Sequence, residues 1–257
     1  MFDDEILEKY INTFLGYGNS KGDICFVGLE EGIAIKYLKL EQNPKLGFDE
    51  VNKKIQIWKN RGEKELEDCR DFHLATNNVW HKSNSKIQET WQGPIRTILS
   101  YEGKDITDSS ILDFQINRLG RFNENHSIIE LRPLPSKKVT GSKWFYKFFS
   151  KMDYLKSKKE YEKFITDRRI ENIRKFIFRS SFKHIVFLSL SKTYEDYWKK
   201  ISDSKFNSID KDFIVSSDNK FIITHHPKSY PANRDLLCGS LSKVFVELGK
   251  YLKSLKV

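Results

Sequence analysis

ICFVGLEEG, residues 24–32, starts as an unbroken apolar run and ends on two carboxylates set between two glycines. A run this short, following a Gly/Asn/Ser turn, reads as a buried strand whose far end opens into a polar loop. Three further runs have the same character: HSIIEL (126–131), HIVFLSL (184–190) and KFIIT (220–224). Helical periodicity fills much of the space between them. It is clear in DEVNKKIQIWKN (49–60), GPIRTILSYEG (93–103), residues 160–180, TYEDYWKKI (193–201) and residues 235–253. An opening helix in DEILEKYINTFL places Ile6, Leu7, Tyr10, Ile11 and Phe14 on one stripe. Strands separated by helices predict a three-layer α/β domain, a mostly parallel four-stranded sheet flanked by helices. Residues 1–257 read as one domain, with a strand-free helical insertion at about 33–90 and a basic helical segment at 137–183.

Parallel sheets of this kind bind ligands beyond the carboxyl ends of their strands. Three such ends carry unusual residues. After the first strand come Gly28, Glu30, Glu31 and Gly32, where glycine lets the backbone approach a ligand and a carboxylate can serve as base or cation stabiliser. After the second comes the stiff loop RPLPS, with Arg132 and Ser136 as candidate phosphate contacts and Thr140 beyond them. After the fourth comes THHPKSYPANRD (224–235), with His225, His226, Lys228 and Arg234. Pro227 restricts the backbone of His226, and a rigidly held neutral imidazole can stabilise a leaving anion. The three ends are expected to meet on one rim.

Net charge is +10, and residues 137–183 hold fifteen Lys/Arg against five Asp/Glu, which accounts for the whole excess. Aromatics Trp144, Phe145, Tyr146, Phe148 and Phe149 interleave with these charges. The pattern suits a surface that tracks a polyanion, and equally a solvated lysine-rich helix with a core face. Cys25, Cys69 and Cys238 lie far apart with no CxxC spacing, so neither a disulfide framework nor a cysteine-only metal site is expected, and a reducing cytoplasm is. His73 and His81 match no metal-binding spacing, so no metal is expected. No run approaches a membrane span, and MFDDEILEKY is too acidic for a signal peptide.

The order of these pieces resembles the uracil-DNA glycosylase superfamily. Gly28-Leu29-Glu30-Glu31-Gly32 stands where that superfamily has its first motif, G-x-D/A-P-x. Thr224, His226 and Pro227 match the T-x-H-P form of its second. ELRPLPS is similar to the C-R-P-P stretch of the iron–sulfur branch through Arg132 and Pro133, and GPIRTIL to the glycine-led helix. Leu131 replaces a cluster cysteine, Glu31 a proline and Lys228 a serine, so no cluster and no bound cofactor are expected. The resemblance implies a monomeric enzyme acting on DNA, hydrolysing the N-glycosidic bond of a flipped-out base. Glu30 would then position water and stabilise the sugar cation, with Glu31 as the alternative carboxylate, and His226 would serve the departing base. Trp80, Trp91 and Phe122 are candidates to stack on that base. Gly32 stands where the best-known uracil enzymes place a tyrosine that closes the pocket against pyrimidine C5. A 5-substituted base, as in phage DNA, is therefore the expected substrate. Ordinary uracil repair, non-catalytic nucleic-acid binding and small-molecule hydrolysis are the competing readings.

Overall fold

The computed structural model describes residues 1–33, 39, 42–76, 79–136, 144–208, 212–228 and 238–255. The described strands are β1 (Gly16–Gly18), β2 (Ile24–Gly32), β3 (Leu66–Glu67), β4 (His126–Ser136), β5 (His184–Leu188), β6 (Phe206–Ser208), β7 (Phe213–Ser216) and β8 (Phe221–Thr224). The described helices that matter below are α1 (Asp4–Thr13), α2 (Lys45–Asn60), α3 (Cys69–Ala75), α4 (Gln92–Glu102), α5 (Asp108–Asn117), α6 (Lys158–Arg179), α7 (Lys192–Ser202) and α8 (Cys238–Ser254). The strands form one mixed sheet in the order β3-β1-β4-β2-β5-β8-β7-β6.

The four runs read from sequence are its parallel centre, β4-β2-β5-β8. Their apolar residues are buried on both faces, as parallel strands under helices require. The sheet has eight strands rather than four, because short strands extend both edges: β1 lies antiparallel to β4, and β7 antiparallel to β8. The strand β3 also falls within the stretch read as strand-free. Taken in chain order, the central four lie second, first, third, fourth. Connections therefore leave in opposite directions around β2 and β5, and a crevice opens there above the carboxyl ends.

RPLPS is not a loop but the end of β4. Glu30 pairs with Arg132 and Gly32 with Ser136, so four steps of β4 run against two of β2. Pro133 and Pro135 have no N–H to give a ladder, and the register shift absorbs them.

Two apolar layers cover the sheet. One packs Cys25, Val27, Ile129 and Leu131 under α6 and α7, and the other packs Ile24, Phe26 and Ile128 under α4, α5 and α8. A third cluster, built on α1, α2 and Phe72 of α3, closes the β1 edge and takes in Trp144, Phe145 and Tyr146. Those aromatics are thus core, while Phe148 stays exposed. Helix starts follow capping chemistry: Asp3, Asp68 and Ser157 each accept a backbone N–H at the heads of α1, α3 and α6. No described helix is long and apolar enough to cross a membrane.

Candidate functional site

Gly28–Gly32 at the end of β2 and His226, Pro227 and Lys228 after β8 line one pocket, together with Glu130, His73, Trp80, Trp91 and Pro94. Its space, counting the part open to solvent, is about 760 Å³. The part that a water-sized group can enter is about 130 Å³, below the roughly 300–1,000 Å³ of drug-sized sites. The floor depends on Gly28. A Cβ there would lie 2.4 Å from Glu130 Oε2, so only glycine lets that carboxyl lie across the strand. At Gly32 a Cβ would meet nothing within 4 Å, and the wall there is open.

Glu30 and Glu31 send their side chains in opposite directions, as neighbours on an extended chain do. Glu30 turns to the head of α6. Its Oε1 accepts from Lys158 Nζ at 2.5 Å and from Ser136 Oγ at 3.0 Å, and Arg132 lies 3.7 Å from Oε2. Burial pushes the Lys158 ammonium down, opposed most by the Glu30 charge. Arg132 pairs with Glu162 at 3.0 Å and lies over the Tyr194 ring, itself buried. Buried Arg132 and half-buried Ser136 therefore brace Glu30. Glu30's side chain is only 7% exposed.

Glu31 turns instead to the pocket wall, with 23% of its side chain exposed. It accepts from Lys54, from Tyr17 OH at 3.1 Å and meets His73 Nε2 at 3.4 Å. Burial would raise its carboxyl, but the Lys54 charge and the His73 contact outweigh this and hold it down at about 2. Glu130, which the sequence reading did not single out, has the opposite fate. Burial, with the charges of Glu31 and then Glu30 beside it, raises its carboxyl to about 8. Its Oε2 is buried without a hydrogen bond. One pocket thus holds an ionised and a protonated carboxyl, the division of labour that acid and base chemistry needs.

His226 Nδ1 accepts the Lys228 backbone N–H at 3.1 Å, which puts the neutral ring's proton on Nε2. Burial, and secondarily Lys228, pushes its imidazole down, so that neutral form holds at pH 7. His225 turns elsewhere, to Asp212 at 3.3 Å, and does not line the pocket. Lys228 reaches Glu89 at 3.0 Å on the rim. Arg234 and Thr140 lie outside the described residues. Of the three aromatic candidates, Trp80 and Trp91 line the pocket, in a T-shaped pair 6.5 Å apart, and Phe122 lies against Lys64 elsewhere.

Beside His73 stand two more donors that linear spacing hid. Cys69 Sγ lies 3.5 Å from His73 Nδ1 and 3.5 Å from His81 Nε2, and the two nitrogens lie 3.1 Å apart. All three residues are buried. The signal was present as Cys-x₃-His on one helix face with a second histidine eight residues on, but only the fold shows that the loop returns.

The basic segment is partly consumed by the fold. Arg169 is fully buried and donates to the carbonyls of Leu131, Ile11, Phe14 and Glu130, bolting α6 to β4 and α1. Arg174, Arg179 and Lys183 pair with Asp203, Glu65 and Asp23. Lys147, Lys151, Lys159 and Lys163 stand exposed. Comparisons of this chain with protein-family models, with curated proteins and with solved structures return no match.

Proposed function

We propose that the chain is a DNA glycosylase related to the uracil-DNA glycosylases, which hydrolyses the N-glycosidic bond of a flipped-out base. A 5-substituted pyrimidine of the kind found in phage DNA is the proposed substrate. The observation that carries this reading is the single pocket shared by Gly28–Gly32 and His226–Lys228. Two loops 194 residues apart in sequence, counted from Gly32 to His226, meet where the resemblance needs them.

In this reading the base leaves the duplex, at a cost of a few kcal/mol, and stacks against Trp80 and Trp91. As the C1′–N bond lengthens, positive charge develops on the sugar and negative charge on the base. Glu31, the pocket-facing carboxylate, stabilises the cation; it takes the role that the resemblance implies for Glu30, whose carboxylate is enclosed by Lys158 and Ser136. Its Lys54 partner keeps it ionised and makes it a weak base, suited to electrostatic stabilisation more than proton abstraction. His226 donates its Nε2–H as a hydrogen bond to the base anion, and protonated Glu130 offers a second donor. Water adds to C1′ and gives its proton to solvent, and the departed base is protonated from solvent. The open wall at Gly32 admits a group on C5. Exposed lysines on the 145–163 stretch supply phosphate contacts.

The test is incubation with duplexes carrying uracil, 5-hydroxymethylcytosine or its glucosylated form, followed by alkaline cleavage of abasic sites. Cleavage at a modified cytosine is expected. Fast cleavage at uracil alone would restore ordinary uracil repair, and cleavage at none of the three would reject the substrate class.

A further inference from the structure

The cluster at Cys69, His73 and His81 is not needed by the chemistry just described, and its geometry has its own meaning. Asp68 caps α3 and is held in turn by Arg121 at 2.9 Å. Capping fixes the first turn, so Cys69 and His73, four residues apart, share one helix face. His81 arrives from the following loop, whose backbone carbonyl at Trp80 accepts from the buried Gln115 side chain at 2.8 Å. A thiol and two imidazoles are thus brought together at a buried point by separately anchored pieces of chain.

The distances fit a metal. A tetrahedral zinc with bonds of about 2.3 Å to sulfur and about 2.0–2.1 Å to nitrogen places its ligands about 3.5 Å apart for S···N and about 3.3 Å apart for N···N. The cluster has 3.5, 3.5 and 3.1 Å. The outer partners of the rings point the same way. His73 Nε2 faces the Glu31 carboxylate, an acceptor, so that nitrogen carries a proton and the neutral ring turns a lone pair on Nδ1 inward. His81 presents Nε2 to the cluster. Its Nδ1 closes no hydrogen bond of ordinary length. Three donor atoms thus crowd one buried point, where a single cation would use all of them.

We infer that Cys69, His73 and His81 bind one zinc ion, with the Glu31 carboxylate holding His73 in its ligating orientation through the ring's other nitrogen. Among the described residues no fourth Cys, His or carboxylate joins the three, so the remaining position falls to water. Trp91 lies against both imidazoles, with ring centroids 5.7 Å and 5.4 Å away, and lines the pocket together with His73. The ion is a brace. It ties α3 and the His81 loop to the same carboxylate that lines the pocket.

The test is metal content followed by cobalt substitution of the full-length protein. One zinc per chain is expected after purification without added metal. The chelated protein titrated with Co²⁺ should give the intense visible bands of a tetrahedral site and a thiolate charge-transfer band, both displaced by one equivalent of Zn²⁺. Cys69→Ser should lose the charge-transfer band. Glu31→Gln keeps all three ligands and should weaken zinc binding about 10- to 100-fold, the usual loss for an outer partner. Should Cys69→Ser fail to fold, the wild-type cobalt spectrum decides alone. Wild-type protein free of stoichiometric metal, with Co²⁺ bound weakly and without a thiolate band, would overturn the inference.

Discussion

Glu30 and Glu31 are adjacent in sequence, and the surroundings of one are nearly the reverse of the other. Glu30 sits in a cage of Lys158, Ser136 and Arg132 drawn from α6 and the irregular end of β4. Glu31 sits at the junction of the pocket with Lys54, Tyr17 and the His73 cluster. Both charges are compensated by a buried lysine, so compensation alone does not mark a reactive carboxylate. Both line the pocket with His73, Glu130 and His226, but Glu31 keeps 23% of its side chain exposed against 7% for Glu30. A one-residue step along an extended strand decides which carboxylate meets Lys158 and which meets Lys54.

The comparison can be pressed hardest from the other side of the pocket. If Glu31 meets the cation, His226 meets the anion, and His226→Ala should lower the single-turnover rate roughly 10²–10³-fold, as loss of one preorganised donor does. His225→Ala, which removes a partner of Asp212, should cost far less. Equal losses would break the assignment of opposite charges to the two loops.

Glu30→Gln should show itself in stability. It leaves Lys158 buried without its nearest carboxylate, while Arg132 keeps Glu162, and breaking a buried pair costs about 3–5 kcal/mol. Chemical denaturation measures this. A variant as stable as wild type would show that the cage is ornamental and return Glu30 to candidacy.

Glu130 sharpens the comparison through pH. Its folded value of about 8 lies above the free value of 4.5, so the folded chain keeps a proton that the unfolded chain releases. The stability this confers is fully present below 4.5 and is lost as pH rises through 8. Glu130→Gln has no such proton to lose, so its melting temperature should fall less than that of wild type between pH 4.5 and about 8. Any activity that uses Glu130 as a donor should also fall above about pH 8 in wild type and lose that limb in the variant. Identical profiles would remove Glu130 from the pocket chemistry.

The smallest effect belongs to the surface. Replacing Lys147, Lys151, Lys159 and Lys163 with Gln should flatten the salt dependence of DNA binding, by roughly 0.9 in log–log slope for each phosphate no longer neutralised. An unchanged slope would leave these lysines as a solvated face.

Much of this was legible in the chain. The four central strands were plain, because each is a short apolar run with helical pattern on either side. The edges were not: GYG at 16–18 has too few residues to show a period. FIVSSDNKFIIT hid its first strand, although the left-handed Asn219 at its turn is a hairpin cue. RPLPS read as a loop because its prolines deny a ladder, and the sheet accommodated them with a register shift. The site was legible as a set of residues but not as orientations. Nothing in GLEEG says which glutamate turns to α6, and the positive segment could not disclose that Arg169 is spent on backbone carbonyls. Glu130 was hidden inside an apolar strand, where its partner is the missing side chain of Gly28.

The account's central claim is that Glu31, and not its neighbour, faces the reacting sugar. It is tested most directly by single-turnover base release from a duplex carrying glucosylated 5-hydroxymethylcytosine, with Glu30→Gln and Glu31→Gln measured side by side, each zinc-loaded and each confirmed to be folded. The account predicts free base and an abasic strand from both, with Glu31→Gln slower than Glu30→Gln by roughly tenfold or more, within the range of losses for a preorganised electrostatic group. Glu31→Gln as fast as wild type, with Glu30→Gln inactive though folded, would contradict it.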